Sequence, residues 1–132
     1  MRPIIIDTNF WLLPFERRVN LLEQLQRLLE PESFELIVPS AVANELKTMA
    51  GGNPAAKNTR AARAALGVIE RYEKEGRARA VERDGPADGI IIGLALEMKA
   101  MVATNDRPLR LRLKDKKVRV ILLRDEHILD WA

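Results

Sequence analysis

The chain has 132 residues, with 22 Lys or Arg, 19 Asp or Glu, one His, no Cys and a formal net charge of +3. That length suits one domain, residues 1–132, with a core that needs no disulfide or metal to hold it, and the lack of cysteine removes zinc–thiolate sites, disulfide frameworks and thiol catalysis. The apolar runs are too short to span a bilayer and Met1 leads into a strand pattern rather than a signal peptide, so the expectation is a cytoplasmic protein with no membrane partner.

The first element is a short strand at 3–6, three isoleucines running straight into Asp7. A β-branched apolar run of this kind reads as a strand buried on both faces. Residues 15–30 show the helical spacing Val19, Leu22, Leu25, Leu29, and "FELIVP" at 34–39 reads as a second strand. Ser40 is placed to cap the helix "AVANELKTMA", and "GGNP" at 51–54 breaks the pattern as a loop before a longer helix from about 55 to 75. A short strand "ARAVE", the turn "RDGP" and an apolar helix "ADGIIIGLALEMKA" follow. The chain then reads as a strand "MVAT", a helix from about 107 to 115, a strand "VRVILL" and a short terminal helix. Strands alternating with helices imply right-handed crossovers, hence an α/β fold of three layers, α/β/α, around a central and mainly parallel sheet.

Four carboxylates stand where a core would not place them. Asp7 ends a buried strand, and Asp106 follows "MVATN" just before a helix with Pro108 in its first turn. Glu45 interrupts the apolar stripe of Val42, Leu46 and Met49, and Asp88 shares a face with Ile91, Ile92 and Ala95. Each has an ordinary explanation alone: an N-cap, a helix-dipole partner or a stripe-edge acid reaching water. Asp84, in the preceding turn, suits turn chemistry. Taken together, two acids follow strands and two point inward from early helical turns, and in a parallel sheet those positions converge on the edge where ligands bind.

Clustered carboxylates raise one another's pKa unless a cation compensates them. An all-oxygen donor set favours a hard ion, Mg2+ or Mn2+, bound singly or as a pair, and the chemistry implied is metal-assisted phosphodiester hydrolysis. Asn9, Thr8, Asn105 and Thr104 are candidates to orient a carboxylate or a metal-bound water, with strand termination as the simpler alternative.

Four blocks, "IIIDTNFWLLPF", "VPSAVANEL", "ADGIIIGLA" and "VATNDRPLRLRL", occur in the order and spacing of a PIN domain, and the resemblance covers nearly the whole chain. It is nearest to the archaeal PIN proteins similar to small-subunit ribosomal-RNA processing factors. The resemblance implies a metal-dependent ribonuclease whose acidic cluster maps onto Asp7, Glu45, Asp88 and Asp106, with Asn105 at the polar position of the last motif. One departure is that Asp88 has Ala87 and Gly89 as neighbours, where some relatives carry a second acid.

The expected function is therefore an endoribonuclease acting in ribosomal-RNA or other RNA processing. Two alternatives stay open: a toxin-type ribonuclease paired with an antitoxin, and an RNA-binding scaffold with little turnover. RNA is the expected partner, single-stranded or structured ribosomal RNA, with a homodimer and a protein partner left open. Between positions 107 and 124, eight basic residues face one acid, Asp115, so Arg107, Arg110 and Arg112, beside Asp106, are the foremost candidates to meet phosphate. Arg60 and Arg63, on the long helix with Gly67, form a second basic stripe whose alternative is a solvated face. Phe10 and Trp11 read as core rather than as a stacking platform, and the lone His127 has no ligand spacing.

Overall fold

Ile4, Ile5 and Ile6 have no accessible surface, because they end a strand with parallel neighbours on both edges. This strand, β1 (Arg2–Ile6), lies between β2 (Phe34–Pro39) and β4 (Met101–Ala103). With helices above and below, none of its three isoleucines has a wet side, which is why alternation is missing from that run. The computed structural model describes residues 1–132 and shows a six-stranded sheet in the order β3-β2-β1-β4-β5-β6, completed by β3 (Ala78–Val81), β5 (Val120–Arg124) and β6 (Ile128–Trp131). All pairings are parallel except β5 with β6.

Seven helices complete the three-layer α/β/α fold: α1 (Thr8–Trp11), α2 (Leu13–Glu16), α3 (Leu21–Leu29), α4 (Ser40–Ala50), α5 (Lys57–Lys74), α6 (Ala87–Met98) and α7 (Arg107–Asp115). A cluster of 33 buried apolar residues joins the sheet to these helices, and Phe10 and Trp11, each 1% exposed, belong to it as expected. The chain builds outward from β1 through β2 to β3, then returns to the other side of β1 for β4 and β5. The strand order therefore reverses between β1 and β4, and the crevice outside their carboxyl ends is where an open α/β sheet binds its ligands.

Three expectations are corrected. The helix expected over 15–30 is broken into α2 and α3, because Asn20 caps α3 by accepting the Glu23 N–H at 3.1 Å and Arg18 takes a positive φ of 55°. The expected terminal helix is instead β6, antiparallel to β5, reached through a turn with Asp125 and Glu126 at φ 53° and 67°. Alternation decides it, since Leu129 is fully buried while Ile128 is 41% exposed. Ser40 does not cap α4, whose N-cap is Pro39. Ser40 Oγ instead accepts the Arg83 N–H at 2.9 Å and donates to Asp84 Oδ1 at 2.7 Å, tying α4 to the turn before α6.

Candidate metal and RNA site

Asp7 leaves the end of β1 only 8% exposed and serves as the N-cap of α1. Its Oδ1 accepts the Thr8 N–H at 2.8 Å, and its Oδ2 accepts from Thr104 Oγ1 at 2.7 Å. Thr104 follows β4, is fully buried, and its Oγ1 also accepts the Asp106 N–H at 3.1 Å. Asp106 caps α7 by accepting the Leu109 N–H at 3.3 Å, with Pro108 in the first turn where its missing donor costs nothing. On α4, Glu45 accepts from Thr8 Oγ1, and in the first turn of α6 a half-buried Asp88 faces the same space.

Asp7, Glu45, Asp88 and Asp106 all line one polar cleft of about 690 Å³, together with Thr8 and Asn9, and no Lys, Arg or His lines it. Burial pushes the Asp7 carboxyl above its ordinary value of 3.8; the hydrogen bonds from Thr104 and from the Thr8 N–H oppose that rise, and the charges of Asp88 and Asp106 add to it. A carboxylate crowded by two others, with no basic side chain in the cleft, is an electrostatic environment that a hard divalent ion would relieve. The donor set is all oxygen and fits such an ion in chemistry. As positioned, no three of these acids converge closely enough to hold one; Glu45 accepts from Thr8 through Oε1 and Asp106 from the Leu109 N–H through Oδ2, each keeping its other oxygen free.

Of the expected orienting residues, Thr8 and Thr104 each donate a hydroxyl to an acid, and Asn9 stands exposed at the rim of the cleft. Asn105 differs: its Oδ1 accepts the Leu123 N–H at 2.8 Å, closing the end of β4 against β5, and it is not part of the four-acid cleft. Asn44, Thr48 and Gly85 also line the cleft and were not singled out from the sequence. Helical spacing held the signal for two of them, since Asn44 and Thr48 flank Glu45 on one face of α4.

The basic residues divide into two kinds. Arg107 and Arg112 are exposed and Arg110 half-buried, and none of the three forms an ion pair. Arg60 and Arg63 instead donate to the carbonyls of Ala55 and Ala50, at 2.6 and 2.9 Å, and so clamp the loop between α4 and α5. A Cβ at Gly67 would meet open space, so the chain's own packing does not require glycine there.

Known proteins are similar to this chain. Ribonuclease VapC4 of Methanocaldococcus jannaschii is 27% identical over 128 residues, 96% of this chain and 93% of that protein. Among solved structures, the PIN domain endonuclease Utp24 superposes with a TM-score of 0.76 at 23% identity, covering 98% of this chain and 90% of the other. A domain of a functionally unknown Methanocaldococcus jannaschii protein superposes with a TM-score of 0.67 at 17% identity, covering 94% and 92%. Residues 4–126, from the buried strand that carries Asp7 to the turn before β6, match the family described as PIN like domain, and the chain belongs to that family.

Proposed function

We propose that the chain is an Mg2+- or Mn2+-dependent endoribonuclease that hydrolyses RNA phosphodiester bonds in ribosomal-RNA or other RNA processing in the cytoplasm. The observation that carries this reading is the meeting of Asp7, Glu45, Asp88 and Asp106 around one cleft at the switch point of the sheet. The resemblance to a protein named as a ribonuclease supports the substrate class. When bound, a divalent ion supplies a Lewis acid for the phosphate and lowers the pKa of a water. The chain's own part is positional: Thr104 and the Thr8 N–H orient Asp7, Thr8 orients Glu45, and the start of α7 orients Asp106. Arg107, Arg110 and Arg112, free of ion pairs beside Asp106, would take the RNA backbone.

The test is cleavage of single-stranded and structured RNA in manganese, in magnesium and in chelator. Wild type should cut internally and only with metal, and Asp7→Asn, nearly isosteric, should stay folded and lose cleavage. An Asp7→Asn protein that cuts at the wild-type rate, or a wild type that cuts no RNA in either metal, overturns the proposal.

A further inference from the structure

The cleft does not end at Asp7 and Asp106. A second hollow of about 350 Å³ shares Asp7, Asn9 and Asp106 with the first and continues towards α2 and the start of α5. Its chemistry is different. In place of Glu45 and Asp88 it is lined by the amides of Asn58 and Asn105, with Leu12 and Leu13 at its wall and the oppositely charged pair of neighbours Glu16 and Arg17 at the end of α2.

We propose that this second lobe is a nucleoside subsite, which takes the base and ribose adjoining the scissile phosphate; the inference rests on the ribonuclease reading above. Neutral amides both donate and accept, which is what reading the edge of an unpaired base requires. They are available for it. Asn58, exposed in the first turn of α5, makes no side-chain hydrogen bond within the chain, and Asn105 uses only Oδ1, on Leu123, leaving its two Nδ2 protons free. The volume lies within the range of small-ligand clefts, about 300–1,000 Å³.

Arg17 is the basic side chain that lines the lobe, and it would take a flanking phosphate. Its one ion pair, to Glu126 at 3.1 Å, joins side chains that are 48% and 80% exposed, a pairing weak enough to exchange for phosphate. Arg17 ends α2 as the C-cap, and the chain turns away after it at Arg18. The four-acid lobe has neither a basic nor an aromatic side chain with which to hold a base. Recognition is thus asymmetric about the acids, with one flanking nucleoside read and the other not. Only an unpaired base offers the edge that the two amides would read.

The experiment follows the backbone and side-chain amide resonances of the full chain in calcium, titrated with short oligonucleotides that differ at one base and with a fully paired hairpin stem. The amides of Asn58 and Asn105 should shift with the oligonucleotides, by amounts that depend on the base, and should not shift with the stem. Asn58→Ala should weaken oligonucleotide binding about threefold to tenfold and flatten the base dependence, whereas Arg17→Gln should weaken all sequences alike. Shifts confined to residues 107–112, with both amides silent or an unchanged base profile in Asn58→Ala, would overturn the subsite and leave RNA binding standing. Silence everywhere with every RNA would overturn the subsite and the ribonuclease reading together.

Discussion

Thr104→Val strikes the joint between the sheet and the acidic cleft. The side chain is fully buried, and its hydroxyl donates to Asp7 Oδ2 at 2.7 Å while accepting the Asp106 N–H at 3.1 Å. Valine keeps the shape and removes both bonds. A hydrogen bond to a charged group is worth roughly 1.5–3 kcal/mol, and the bond from the Asp106 N–H about 0.5–1.5 kcal/mol, part of which water recovers because Asp106 is exposed. The methyl that replaces the hydroxyl returns about 0.8 kcal/mol. The net destabilisation is therefore about 2 kcal/mol, or roughly 5–10 °C in Tm for a domain of this size.

The pH dependence is the sharper signature of the same substitution. Asp7 has a folded-state pKa above 3.8, mainly through burial, with the Thr104 bond pulling it back. At a pH below 3.8 the carboxyl is protonated in both states and no penalty exists; as pH rises through the folded-state value, folding must bury a charge and stability falls. Without the Thr104 bond that penalty grows. The Tm gap between wild type and Thr104→Val should thus be smallest near the acid end and widen towards neutrality, and the acid limb of RNA cleavage should move to higher pH. Thr104→Ser should restore the limb at a modest packing cost. Thermal unfolding across the acid-to-neutral range, with a pH–rate profile in manganese, decides it: a valine variant with wild-type Tm at neutral pH and an unmoved limb refutes the role given to Thr104.

Replacing Arg110 and Arg112 with glutamine should reduce the slope of log affinity against log salt by up to about 0.7 for each single-strand phosphate that an arginine neutralises, read by RNA titration in calcium; an unchanged slope places the RNA path elsewhere. Arg63→Gln removes the bond to the Ala50 carbonyl, so it should cost about 0.5–1.5 kcal/mol in denaturant unfolding and lower the same salt slope by less than the Arg110 and Arg112 pair does. Leu129→Ala should cost about 2–5 kcal/mol, because Leu129 is fully buried on the edge strand β6; a cost under about 1 kcal/mol in the same unfolding assay would mean that β6 is not packed as described.

The central strands were legible because burial on both faces writes itself as unbroken β-branched runs, as in Ile4–Ile6 beside Leu36–Val38. The meeting of the four acids around one cleft was legible for a related reason, since each interrupts a pattern that water or apolar packing would otherwise have completed. The edge of the sheet was not. Strand β6 is four residues long and its turn uses Asp125 and Glu126 at positive φ, where Gly or Asn would have signalled a hairpin. The break near Arg18 was hidden by apolar spacing that runs through it, and only the capping chemistry of Asn20 marks the new start. Side-chain direction was beyond the sequence as well: nothing in "TND" tells that Asn105 turns to Leu123 while Thr104 turns to Asp7.

Hydrogen bonds arrange most of the cleft within the chain itself. The Leu109 N–H holds Asp106, the Asp106 N–H meets Thr104, Thr104 holds Asp7, and Thr8, next along the chain, reaches across to Glu45. This series links α7, the ends of β4 and β1, α1 and α4, so three of the four carboxylates are held in fixed relation by backbone and threonine donors. Asp88 stands outside it, half-buried at the start of α6, with no hydrogen bond from the others. Each bond occupies one oxygen of Glu45 and of Asp106 and leaves the other, Oε2 and Oδ1, without a side-chain hydrogen bond. A cation entering the cleft would meet those free oxygens and both oxygens of Asp88 with the bonds from Thr8 and the start of α7 still in place.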